Sequence, residues 1–236
     1  MSYHTDCLAF GTHPDDIELF CSGLLIKLKN QGYTTAVIDL TYGELSTNGD
    51  VATRKNETKN ANKILRLDKR INLGFDDGNI INTPDTRLKI IKQVRDIKPE
   101  ICILPYGKDR HPDHIKAAQL VQDAIFYAGL PRIDTGQKAF RPKSILYYMQ
   151  HLDFNPTFIV DISDEFENKL NAIKAYKSQF INKDNDFIET YINRNEFIES
   201  IITRAKFYGH HISCRYGEPY FYDGDLKIND IMKIFT

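Results

Sequence analysis

A chain of 236 residues with 42% hydrophobic content can bury a substantial core, and a formal net charge of -1 leaves no basic excess for a nucleic-acid partner. Its length fits one domain over 1–236, since no repeat, low-complexity tract or linker divides it. The four cysteines Cys7, Cys21, Cys102 and Cys214 are far apart and form no CxxC pair, which excludes zinc-ribbon and redox-motif readings. No basic and then apolar leader precedes the first strand. No run approaches the roughly 18 apolar residues of a membrane span. A cytoplasmic protein without a membrane partner is therefore expected.

In chain order, residues 7–11 read as a buried strand. Residues 16–30 follow as a helix, with Leu19, Phe20, Leu24 and Leu28 at helical spacing and Gly32 ending it. Residues 35–41 are a second strand rich in β-branched side chains, and 42–53 a polar loop with two glycines. A charged helix spans 54–67, a short strand 70–74, a loop 75–84 and a helix 85–98 stopped by Pro99. The continuous apolar stretch 101–104 is a fourth strand, followed by a loop and a helix over 113–128. Further on come strands at 144–150 and 157–162, helices at 164–178 and 193–208, and an aromatic-rich tail. Alternating strands and helices predict an α/β fold: a Rossmann-like, mostly parallel sheet with helices on both faces. Such sheets carry their sites beyond the carboxyl ends of strands.

Two strand ends carry unusual chemistry. The first strand runs into Thr12-His13-Pro14-Asp15-Asp16, and the fourth into Asp109-Arg110-His111-Pro112-Asp113-His114. Clustered carboxylates repel one another, and a metal ion is one means of easing that repulsion. Taken alone, Thr12, Asp15 or Asp16 could simply cap a helix, and the second segment could be a loop with solvated histidines. Together, HPDD and HPDH occupy equivalent places in two βα units, and chance becomes a poor account of them. The glycine fingerprint of a dinucleotide site is missing, which argues against a non-catalytic sugar- or nucleotide-binding Rossmann-like module.

These motifs, with LAFGTHPDDIE, the ELSTNGDVATR segment, NLGFDDG, AYKSQF and RYGEPYF, resemble the LmbE-like or PIG-L family of zinc-dependent N-acetylglucosamine deacetylases. Within it, ELSTNG and the DRHPDH context resemble the malate-glycoside branch, which acts on N-acetylglucosaminyl-malate in bacillithiol biosynthesis. Departures from the family pattern lie at Thr12, at Phe20-Cys21-Ser22-Gly23 and at Gly217-Glu218-Pro219-Tyr220, and none removes an expected ligand.

The resemblance implies one Zn2+ per chain held by His13, Asp16 and His114, a set that leaves an open position for water and that iron(II) would also suit. It implies Asp15 as general base, His111 stabilising the oxyanion (a charged donor if protonated), and Asp113 orienting His111 or Asp15. Arg54 and Arg110 are expected to meet the malate carboxylates, and Glu44 and Asn48 the sugar or their own loop. The expected partner is a small amino-sugar conjugate, with a homo-oligomeric assembly; chitin fragments are the alternative substrate. Asp76 and Asp77 read as turn formers, His210 and His211 as solvated or paired with a helix dipole, and the tail aromatics as packing or a subunit contact. His4 and His151 have no partner motif, and Glu218 is left as a residue that could reach the pocket.

Overall fold

A computed structural model describes residues 4–180 and 187–232. Its centre is a seven-stranded sheet of β1 (Thr5–Gly11), β2 (Thr35–Thr41), β3 (Lys69–Phe75), β4 (Pro99–Pro105), β5 (Ser144–Tyr148), β6 (Phe158–Asp161) and β7 (Gly217–Tyr222), in the order β3-β2-β1-β4-β5-β7-β6. The first five strands run parallel, and β7 enters antiparallel between β5 and β6. This is the expected α/β class. The strand order turns at β1, which lies between β2 and β4, so the chain leaves those strands in opposite directions and opens a crevice above them.

The helices are α1 (Asp16–Phe20), α2 (Ser22–Asn30), α3 (Val51–Leu65), α4 (Pro84–Ile97), α5 (Pro112–Ala128), α6 (Phe166–Lys174), α7 (Lys177–Phe180) and α8 (Asn195–His211). They cover both faces, because strand residues alternate between them. Leu8 and Phe10 of β1 pack with Ile90, Val94, Leu120 and Val121 of α4 and α5. Cys7 and Ala9 point the other way, against Ile17, Leu25, Ile173 and Ile201. Fully burying each of the larger side chains contributes about 1.5–3 kcal/mol, so the two layers fix the strands whose ends carry the motifs.

Several boundaries differ from the sequence reading, among them the expected helix 164–178, which is split into α6 and α7, and three others matter more. The helix over 16–30 is two helices meeting at Cys21 (φ -141°, ψ 11°). The free N–H groups of the second are taken by a carboxylate from across the fold, as Gly23 and Leu24 donate to Glu218 at 3.1 and 2.9 Å. α3 starts at Val51 rather than 54, because Asp50 caps it by accepting from Thr53 N at 2.7 Å. The aromatic tail is the internal strand β7, where Tyr220 is fully buried and stacks on Phe158 at 5.5 Å.

Candidate active site

The β1 end turns sharply after Gly11. Thr12 N and His13 N both donate to Asp16 Oδ2, at 3.0 and 2.9 Å, so this carboxylate does cap the turn. Its other oxygen, Oδ1, is left facing His114 Nε2 at 3.4 Å. Asp15 takes φ 126°, a left-handed value that non-glycine residues rarely adopt and that costs of order 1–3 kcal/mol. Its side chain makes no cap bond and turns instead towards Arg54, whose Nη1 lies 2.8 Å from Asp15 Oδ2.

The β4 end delivers the second half. Asp109 Oδ1 accepts from His111 N at 2.8 Å and lies 3.0 Å from His114 Nδ1, and Asp109 Oδ2 accepts from His151 N at 2.9 Å. His111 Nδ1 accepts from Asp113 N at the start of α5, which assigns the ring proton of the neutral imidazole to Nε2. His13 and His111 are 4.9 Å apart between ring centroids, and His111 and His114 4.7 Å. Ligand atoms of His13, Asp16 and His114 all lie within 4.8 Å of one another. Two imidazoles and a carboxylate at that spacing suit a dication and leave coordination positions open.

The titration behaviour points the same way. Burial opposes charge on His13, yet hydrogen bonds to Asp113, Asp16 and Asp77 outweigh it and hold the imidazole well above its ordinary range. His114 behaves alike: burial lowers it, but Asp16 and Asp109 raise it to about 9. This surplus of carboxylate holds protons where a cation would neutralise it equally well. Asp15 is pushed up to about 7, mainly by burial, with Arg54 pulling it down and Asp16 raising it further. His111 is lowered by burial and by its histidine neighbours. Burial and the neighbouring imidazoles thus favour a neutral His111 ring, with Nε2–H as its donor.

Both halves line one open cavity of about 550 Å³. His13, Asp15, Asp16, His111 and His114 border it, as do Arg54 and Arg110. Their circumstances differ. Arg54 is buried, donating to Pro14 O, Asp15 and Ser46 at 2.6, 2.8 and 2.7 Å. Arg110 is exposed at the rim, its guanidinium 4.1 Å from the Tyr191 ring centroid. Glu44 and Asn48 are not among the cavity's lining residues. Glu44 accepts from Asp77 N at 2.8 Å, and Asn48 holds both backbone groups of Ile188, so each ties loops together. The Asp113 carboxylate does not reach for His111 or Asp15: it accepts from Gly78 N at 2.6 Å and lies 3.9 Å from His13 Nε2.

Three site residues escaped the sequence reading. Asp77, read as a turn former, reaches His13 Nε2 at 3.0 Å and accepts from Leu45 N. Asp109 stands five residues before His114, and its presence in DRHPDH was the one available signal. His151 joins it from the loop after β5, with Nδ1 3.2 Å from Asp109 Oδ1, and no local motif marks it. Glu218 is buried with Lys169 (2.6 Å) and Tyr220 (2.6 Å), and is not among the residues lining the cavity.

The PIG-L family model, described as GlcNAc-PI de-N-acetylase, matches residues 8–125, a span that holds both motif loops. The diacetylchitobiose deacetylase of Thermococcus kodakarensis is 30% identical over 223 residues, covering 89% of this chain and 80% of its own. Among solved structures, the conserved protein TT1542 from Thermus thermophilus superposes with a TM-score of 0.87 at 33% identity, covering 95% of this chain and 98% of that one. The N,N'-diacetylchitobiose deacetylase from Pyrococcus horikoshii does so with a TM-score of 0.80 at 26% identity, covering 92% and 82%. With its two motif loops converging on one crevice, the chain belongs to the PIG-L family of de-N-acetylases and is a hydrolytic enzyme.

Proposed function

We propose that this enzyme hydrolyses the acetamide of an N-acetylated glucosamine conjugate, N-acetylglucosaminyl-malate, to free amine and acetate, in the making of a glucosamine-based thiol (bacillithiol). The observation that carries the hydrolysis is the placement of Asp15, buried and near neutrality, beside the His13, Asp16 and His114 cluster on a cavity of sugar-conjugate size. The ELSTNG and DRHPDH resemblance supports the malate glycoside, together with Arg110, the rim cation whose side chain makes no ion pair among the described residues. A zinc ion bound by His13, Asp16 and His114 would supply Lewis acidity, polarising the acetyl carbonyl and acidifying water.

The chain's own groups account for the proton traffic. Asp15 as carboxylate removes a proton from the attacking water as its oxygen bonds to the amide carbon. Arg54 favours the ionised form of that carboxylate and fixes its direction. His111 Nε2–H donates to the oxygen that gains charge, and as a neutral donor it has no need to lose a proton there. When the C–N bond breaks, Asp15 returns its proton to the nitrogen, which leaves as the amine while the acyl carbon leaves as acetate. His13 and His114 stay neutral when they bind a cation, their other nitrogens facing Asp77 (His13 Nε2, 3.0 Å) and Asp109 (His114 Nδ1, 3.0 Å).

A second reading, deacetylation of diacetylchitobiose, is favoured by the 30% identity to the Thermococcus enzyme over 223 residues. An amine-release assay decides between them: malate glycoside, free N-acetylglucosamine and diacetylchitobiose, each with and without chelator. The proposal expects the malate glycoside to be turned over fastest, in a chelator-sensitive manner. Faster turnover of diacetylchitobiose would overturn the substrate assignment, and release from none of the three would overturn the reading altogether.

A further inference from the structure

Arg54 lines two cavities. Besides the large one, a second of about 190 Å³ lies under α3 at the ends of β2 and β3. Arg54, Lys55, Lys59 and Arg70 contribute to its wall, and Asp39 is its one carboxylate. That carboxylate is already taken, because Arg70 Nε and Nη2 hold it at 2.7 and 3.0 Å. Arg70 is in turn occupied by Glu18 at 2.6 Å. The two lysines have no such arrangement. Lys55 rests its ammonium 4.3 Å from the Tyr42 ring centroid, and among the described residues neither Lys55 nor Lys59 makes an ion pair.

Their positions sharpen the point. Lys55 and Lys59 are four residues apart on α3, one turn above the other, where like charges repel. A concave wall concentrates their field inside the cavity rather than dispersing it into solvent. Asn62, one turn further on, also lines the space; its Oδ1 accepts from Arg70 Nη1 and its amide donors are left over. Two cations without ion pairs and spare amide donors, around an acid already held by a guanidinium, describe an anion receptor.

We infer that this second cavity binds a small carboxylate, of the acetate class, between Lys55 and Lys59. The choice of acetate rests on the deacetylation reading, since that reaction would release acetate on the opposite side of the same arginine; the anion site itself does not rest on it. Arg54 then stands between two carboxylates, that of Asp15 and that of the guest. Occupancy would loosen the Asp15 ion pair without occupying the substrate cavity.

The test is calorimetric titration of sodium acetate, at fixed ionic strength, into the zinc-loaded wild type and into a Lys55→Ala/Lys59→Ala double variant. Both lysines are exposed and outside the metal cluster, so zinc content and melting profile should be unchanged. Saturable binding to the wild type, weakened at least tenfold in the variant, is expected. Equal affinity in both proteins would mean the acetate sits in the main cavity, and absent binding to the wild type would mean there is no receptor; either overturns the inference. Inorganic phosphate binding more tightly than acetate through the same lysines would overturn the carboxylate assignment. Because the readout is binding, a failed turnover assay and a failed titration remain separate results.

Discussion

Asp109 Oδ1 lies 3.0 Å from Nδ1 of His114, the ring whose other nitrogen faces Asp16 at 3.4 Å. Because a carboxylate can only accept, the pairing favours the His114 tautomer with Nδ1–H as donor, which keeps Nε2 free for a cation. Asp109→Asn should therefore lower metal affinity by roughly 10- to 100-fold. Competition with a calibrated chelator measures this, and an unchanged affinity would remove Asp109 from the metal site.

Asp15→Asn keeps the shape of the side chain but removes the base. Zinc content should match the wild type while kcat falls by about 10²–10⁴-fold, the usual range for a positioned general base. Residual turnover within a few-fold of wild type would move the proton transfer to another group.

The arginines should separate in their effects. Arg54→Ala strips a buried partner from Asp15, a change that costs about 3–5 kcal/mol for a buried pair, and should depress turnover of every substrate alike. Arg110→Ala should raise KM for the malate glycoside alone, by roughly 10- to 100-fold if one charged hydrogen bond worth about 1.5–3 kcal/mol is lost. Steady-state kinetics on the malate glycoside and on free N-acetylglucosamine would reveal the split. The reverse pattern would return the carboxylate role to Arg54.

Asp15 also sets the expected pH response. In the metal-free protein burial holds it up to about 7, so it is half protonated near neutrality. A dication beside it favours the ionised form and moves this value down. As a base it works only when ionised, so turnover should fall as pH drops through the value in the loaded enzyme, leaving the acid limb below 7. Carboxyl-carbon NMR of metal-free and zinc-loaded protein tests the direction, and an upward move on loading would contradict it.

Glu218 belongs to stability rather than to chemistry. Glu218→Ala would leave Lys169 buried without its partner and uncap α2, costing about 3–5 kcal/mol. At about 2–4 °C per kcal/mol for a chain of this size, Tm should fall by roughly 6–20 °C. Metal affinity should not change, and a loss of zinc at full thermal stability would refute this division.

How much of this was legible beforehand follows from range in sequence. HPDD and HPDH each sit within one loop, so their residue types were visible together, and strand periodicity was enough to bring the loops to one sheet edge. Asp77 and His151 come from the ends of β3 and β5, and only the folded sheet sets them beside His13 and Asp109. Arg54 was legible as a site residue but not as a partner of Asp15, because that pairing depends on α3 beginning at Val51 instead of at 54. β7 was hidden by Gly217 and Pro219, which punctuate its sequence like a turn, although its neighbours in the sheet supply the missing context.

The reversed direction of β7 has a temporal consequence. β6 is one of the two edge strands, and among the described residues its one neighbour in the sheet is β7, more than fifty residues further along the chain. During synthesis from the N-terminus the parallel strands β1 to β5 can assemble in order, while β6 must wait unpaired until residues 217–222 emerge. Until then one edge of the nascent sheet stays open to other chains, and a ribosome stalled between the two strands would hold an aggregation-prone intermediate already carrying both metal-binding loops.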